Sequence, residues 1–73
     1  MKSHTAFLTT LQAKKLRDLL VSMSFEFVAK EHTLYAAKKG KLSVSVYQKG
    51  PKVLIQGKDT REFIEFHLEP KIL

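Results

Sequence analysis

The apolar residues of the chain change period several times, and each change marks a new element. Ala6 to Leu8 is a short apolar run that reads as a first strand. Thr9 or Thr10 then offers an N-cap, and Gln12 stands three residues after Thr9, the spacing of a capping box. Ala13, Leu16, Leu19, Leu20 and Met23 recur at helical spacing, while Lys14, Lys15, Arg17 and Asp18 fall mostly on the other side. This pattern predicts an amphipathic helix over Leu11–Met23 that packs by one face.

The period then falls to two. Phe25 to Lys30 places bulky apolar residues at alternate positions and reads as a strand. A further strand, Thr33 to Lys38, runs into Lys39-Gly40, where glycine tolerates the positive φ of a two-residue hairpin turn. Leu42-Ser43-Val44-Ser45-Val46-Tyr47 alternates strictly, Gly50-Pro51 interrupts the chain, and Lys52 to Gln56 resumes it as the last strand. Gly57 closes that strand. Asp59, with Glu62 three residues on, is the expected N-cap of a second helix that starts at Thr60 and carries Phe63, Ile64, Phe66, His67 and Leu68. Pro70 is expected to end it. The order strand, helix, four strands, helix predicts an α+β fold with an antiparallel sheet. A chain of 73 residues has room for one core and two layers, so both helices must cover the same sheet face.

Strand alternation then decides what the bare face presents. With Lys39-Gly40 as the turn, Ala37 lies opposite Leu42 and Tyr35 opposite Val44. These residues, with Val46, Val53 and Ile55, form the side that the helices bury. The other side carries Leu34, Ala36, Lys38, Lys41, Ser43, Ser45, Tyr47, Lys52, Leu54 and Gln56. For the second hairpin this arrangement requires Tyr47 opposite Lys52 across a four-residue loop, Gln48 to Pro51. A slip of one residue in either hairpin would exchange the faces locally.

Charge sharpens that picture. The net charge is +6, and Lys38, Lys39, Lys41, Lys49, Lys52 and Lys58 occupy a stretch with no Asp or Glu. The basic and acidic residues outside it cancel. An excess concentrated in this way points to a polyanionic partner, against the plainer reading of a solvated face that keeps the domain soluble. Lysines neutralise phosphates, and Ser43, Ser45 and Gln56 can bond to sugar or phosphate oxygens. The small Ala36, Ser43 and Ser45 leave room for a backbone, while Tyr47 and Leu54 supply apolar contact. No arginine lies on this face, so shape and backbone recognition is expected rather than the reading of guanine edges.

Catalysis has little to stand on. Two-metal nuclease chemistry needs several converging carboxylates. Asp18 is on the first helix, Glu26 and Glu31 flank the second strand, and Asp59, Glu62, Glu65 and Glu69 lie along the last helix. His4, near the terminus, His32, beside a turn, and His67, near a helix end, stand at no metal-ligand spacing from one another. The absence of cysteine removes disulfides and thiolate sites and fits a reducing compartment. The apolar runs are far shorter than the roughly 20 residues a bilayer needs, and Met1 to Thr5 lacks the apolar core of a signal peptide. A cytoplasmic protein with no membrane partner is the expectation.

The successive segments Leu34-Tyr35-Ala36-Ala37-Lys38, Ser43-Val44-Ser45-Val46-Tyr47 and Lys52-Val53-Leu54-Ile55-Gln56-Gly57-Lys58 resemble the N-terminal domain of bacterial ribonuclease HIII, and Glu62 to Phe66 fits the same pattern. The resemblance covers nearly the whole chain. It implies the half-saddle fold of the TATA-box-binding protein and a substrate-binding role on RNA/DNA hybrid, with Lys38, Ser43, Ser45, Tyr47 and Gln56 matching best. It further implies that residues 1–73 form a single nucleic-acid-binding domain, an N-terminal fragment followed in the parent chain by a ribonuclease H catalytic domain. Magnesium or manganese would belong to that catalytic domain, with no cofactor here. The apolar end Lys71-Ile72-Leu73 also points to more chain. One departure is the loop Gln48 to Pro51, longer than a tight turn, which leaves the register of the last hairpin open.

The candidate contact set is therefore Lys38, Lys41, Ser43, Ser45, Tyr47, Lys52, Leu54, Gln56 and Lys58. The alternative is a protein-interaction or dimerisation module that uses the open sheet face or a free edge, with Leu34, Leu54 and Tyr47 as anchors.

Overall fold

A computed structural model describes residues 3–73; Met1 and Lys2, part of the N-terminal stretch read above as lacking a signal sequence, lie outside the described residues. The elements are β1 (Ser3–Phe7), α1 (Thr10–Ser22), β2 (Glu26–Val28), β3 (Thr33–Lys39), β4 (Leu42–Tyr47) and β5 (Lys52–Gly57). A closing helix follows in three parts: α2 (Thr60–Phe63), a π-helical segment (Ile64–Leu68) and α3 (Glu69–Lys71). The five strands form one antiparallel sheet in the order β1-β5-β4-β3-β2, so α1 carries the chain from one sheet edge to the other.

Both helices lie on one side of this sheet, as the size of the chain demands. Ala13, Leu16 and Leu20 of α1, Phe63 and Leu68 of the closing helix and Ile72 just after it share a single core with Ala37, Val44, Val46, Val53 and Ile55. The capping box forms: the Thr9 hydroxyl oxygen accepts the Gln12 N–H at 3.1 Å, and Gln12 Oε1 accepts the Thr9 N–H at 2.8 Å. The Gln12 amide nitrogen also donates to the Ile72 carbonyl at 3.2 Å, tying the two helices together. At its other end α1 closes in a Schellman arrangement, with Phe25 N–H on the Leu20 carbonyl and Ser24 N–H on the Val21 carbonyl. Ser24 takes the left-handed position there, at φ +64°.

Several boundaries move from the sequence expectation. The first strand is Ser3–Phe7, and Leu8 leaves it to enter the core while its N–H bonds the Pro51 carbonyl at 2.8 Å. His4, near the terminus, is thus a half-buried strand residue opposite Ile55. The second strand keeps only Glu26–Val28 of Phe25 to Lys30. In the first hairpin the turn is Gly40-Lys41, so Lys39 pairs with Leu42, Ala37 with Val44 and Tyr35 with Val46. That register differs by two residues from the expected one. An even shift leaves every side chain on its expected face, but it takes Lys41 off the strand and onto the turn. A bulge between Thr33 and Tyr35 also turns Leu34 away from the open face toward α1.

The closing helix departs in two further ways. Asp59 sits in the left-handed region at φ +67° and its side chain caps nothing, while the Thr60 hydroxyl donates to the Gly57 carbonyl at 2.8 Å. Pro70 does not stop the helix but lies within its last turn. The wider π-helical ladder immediately before it relieves the clash a proline ring meets in a regular α-helix.

Candidate nucleic-acid interface

The sheet face away from the helices is built in three cross-strand rows, because side chains of paired strands line up across the ladder. The first row runs Glu26, Lys38, Ser43, Gln56, Ser3. The second runs Val28, Ala36, Ser45, Leu54, Thr5. The third is Thr33, Tyr47, Lys52, Phe7. Tyr47 lies opposite Lys52 as expected, so the Gln48–Pro51 loop preserves the face despite its length.

Seven of the nine candidate residues, Lys38, Ser43, Ser45, Tyr47, Lys52, Leu54 and Gln56, therefore share this surface. The other two meet at its end. Lys41 is at the tip of the β3–β4 turn and Lys58 just past β5, and the Lys58 N–H donates to the Lys41 carbonyl at 3.1 Å. Gly57 makes this approach possible: a Cβ there would drive into the Lys41 carbonyl oxygen.

Of the surface residues that sequence reasoning missed, three bear most on binding. Thr5 and Phe7 belong to β1, whose placement beside β5 no local pattern reveals; Phe7 is 75% exposed. With Tyr47, Lys49, Lys52 and Leu54 they line an open depression of about 590 Å3 at the β4–β5 hairpin. The third is Lys30. From the β2–β3 connection its ammonium reaches over the sheet to the Ser45 hydroxyl, at 3.2 Å, and lies 5.3 Å from the Tyr47 ring centroid. Its place at the end of an expected strand gave no sign of this reach.

The electrostatics of the face are lopsided. Among the described residues the ion pair found is Arg61–Glu65 on the closing helix, so no sheet lysine is in ion-pair contact with a carboxylate, although Glu26 stands across from Lys38 in the first row. Lys39 is the exception in role: its ammonium donates to the Met23 carbonyl at 2.7 Å and lies over Phe25, on the helix side. No group of three or more His, Asp or Glu side chains among the described residues is placed to hold a metal ion. No helix among them is long and apolar enough to cross a membrane.

No protein-family model matches the chain. Ribonuclease HIII of Chlamydia abortus is 40% identical over 72 residues, covering 94% of this chain and 24% of its own length. That of Chlamydia pneumoniae is 42% identical over 66 residues, with 90% and 22% covered. The crystal structure of Aquifex aeolicus RNase H3 superposes with a TM-score of 0.81 at 27% identity, over 90% of this chain and 26% of that one. The chain is similar to the N-terminal part of ribonuclease HIII. It spans about a quarter of the length of these relatives. The ribonuclease HIII resemblance seen in the strands thus extends to the α+β architecture over most of the chain.

Proposed function

We propose that this chain is a non-catalytic, substrate-binding domain that holds duplex nucleic acid, RNA/DNA hybrid foremost, on its open sheet face. The observation that carries the reading is a helix-free face on which Lys38 and Lys52, neither of them in an ion pair, flank the small hydroxyl side chains of Ser43 and Ser45. Backbone phosphates are the complementary ligand, since each one neutralised releases a condensed counterion. Similarity to ribonuclease HIII supports hybrid as the duplex in question. In this reading, cleavage, with its magnesium or manganese, belongs to a catalytic domain that follows in the parent chain.

The test is fluorescence anisotropy with labelled RNA/DNA hybrid, duplex DNA and duplex RNA across a salt series. Binding that favours the hybrid and weakens steeply with salt supports the proposal. Absence of binding at low salt overturns it, and salt-insensitive self-association would favour the interaction-module alternative, for which the exposed Phe7 offers an anchor.

A further inference from the structure

Lys30 is unusual among the lysines of the face because its position is fixed by two partners. The Ser45 hydroxyl accepts one of its N–H donors at 3.2 Å, and the Tyr47 ring lies under the ammonium at 5.3 Å. Holding a lysine side chain in one geometry costs rotamer entropy, so a lysine placed this way is preorganised for whatever it meets. Ser45 is only 5% exposed, against the half-exposed Ser43 beside it in the same strand. A ligand therefore reaches Ser45 through Lys30 rather than directly. The ring face of Tyr47 that lies under Lys30 is likewise unavailable for stacking a base.

The position of the ammonium relative to the strand lysines gives it a path. Lys38 lies in the first row on β3, Ser45 in the second on β4 and Lys52 in the third on β5. Strand spacing and rise put successive points on this diagonal about 8 Å apart. The middle point would be an uncharged serine, but Lys30 delivers a cation to it. Glu26, the cross-strand neighbour of Lys38, is the acidic group beside this diagonal, at its β2 end, and Ser45 and Lys52 lie further along, on β4 and β5.

Resting on the reading of the open face as a nucleic-acid surface, we infer that Lys30 is the central phosphate-holding cation of the site. Ser45 and Tyr47 are its positioning residues, and one sugar–phosphate strand of the duplex follows the Lys38–Lys30–Lys52 diagonal. An ammonium has three N–H donors; Ser45 takes one and the ring faces another, which leaves a donor for a phosphate oxygen. The site then recognises a continuous backbone, not splayed bases.

The experiment compares hybrid binding by the wild type, Lys30→Met, Lys30→Arg, Ser45→Ala and the Lys30→Met/Ser45→Ala pair over a salt series, with thermal midpoints as the folding control. Lys30→Met is expected to reduce the salt slope by about one unit and to weaken binding about ten-fold at 0.1 M salt, with Lys30→Arg restoring the slope. Ser45→Ala is expected to weaken wild-type binding and to add nothing in the Lys30→Met background. In the free protein the Lys30 ε-methylene protons should show an upfield ring-current shift in the proton NMR spectrum. A wild type that binds while Lys30→Met keeps its slope and affinity overturns this inference and leaves the nucleic-acid reading standing. A wild type that fails to bind at low salt removes both.

Discussion

The Tyr35 hydroxyl donates a 2.6 Å hydrogen bond to the Ala13 carbonyl, from the middle of β3 to the first turns of α1. This bond fixes the helix over the sheet, and through it the side of β3 that stays open. Burial pushes the Tyr35 phenol well above its usual value, because the charged form would lose water; Arg17 opposes the shift and Asp18 adds to it.

Tyr35→Phe should therefore cost about 1 kcal/mol at neutral pH, the net worth of one such bond. The sign of its pH dependence follows from the raised value. Below pH 10 both folded and unfolded phenols are protonated and the contribution is whole. Above it the unfolded phenol ionises first, so wild-type stability falls with rising pH. The gap between wild type and Tyr35→Phe should narrow above pH 10 in urea melts, and a constant gap would contradict the assignment.

Ser24 offers a gain rather than a loss. It occupies the left-handed position of the Schellman closure at φ +64°, where glycine is the usual residue. Ser24→Gly should raise stability by roughly 0.5–1 kcal/mol, the relief of the left-handed strain less the extra entropy of an unfolded glycine. A thermal melt shows it as a higher midpoint with binding unchanged.

Ser24 also shows where sequence reasoning stops. The capping box at Thr9 and Gln12 is local and was legible, as was the face alternation of β4 and β5, which survives register changes by an even number of residues. The helix closure was not, because a left-handed serine leaves no compositional mark. The Asp59 cap failed for the opposite reason: residue type and spacing fit, but the tight approach after Gly57 holds Asp59 left-handed and passes the turn hydrogen bond to Thr60. In the site, the strand residues were readable by alternation. Phe7 depended on β1 lying beside β5, and Lys30 on a long side chain crossing the sheet, and both are tertiary facts.

Gly57 and Gly40 separate steric need from backbone preference. Both have positive φ, +104° and +60°. Open space surrounds a Cβ on Gly40, whereas one on Gly57 meets the Lys41 carbonyl. Gly40→Ala should cost about 1 kcal/mol for the left-handed conformation alone. Gly57→Ala should cost about 2 kcal/mol or more, since it must also break the Lys58–Lys41 bond that closes the sheet end. Equal costs in chemical denaturation would argue against the close approach.

The most demanding test of the face separates where charge sits from how much there is. Lys38→Ala/Lys52→Ala and Lys14→Ala/Lys15→Ala each lower the net charge from +6 to +4. The first pair lies on the open sheet, the second on the exposed side of α1, behind it. If binding only followed total charge, the two variants would lose affinity equally. A sheet-face site predicts that loss of Lys38 and Lys52 flattens the salt slope for hybrid by about two units, one for each phosphate contact. The Lys14/Lys15 variant should keep the wild-type slope and lose only a minor share of long-range attraction, screened beyond about 10 Å at 0.1 M salt. Titrating both variants by anisotropy from low to moderate salt reads the difference directly. Equal slopes in the two would place the ligand elsewhere on the molecule.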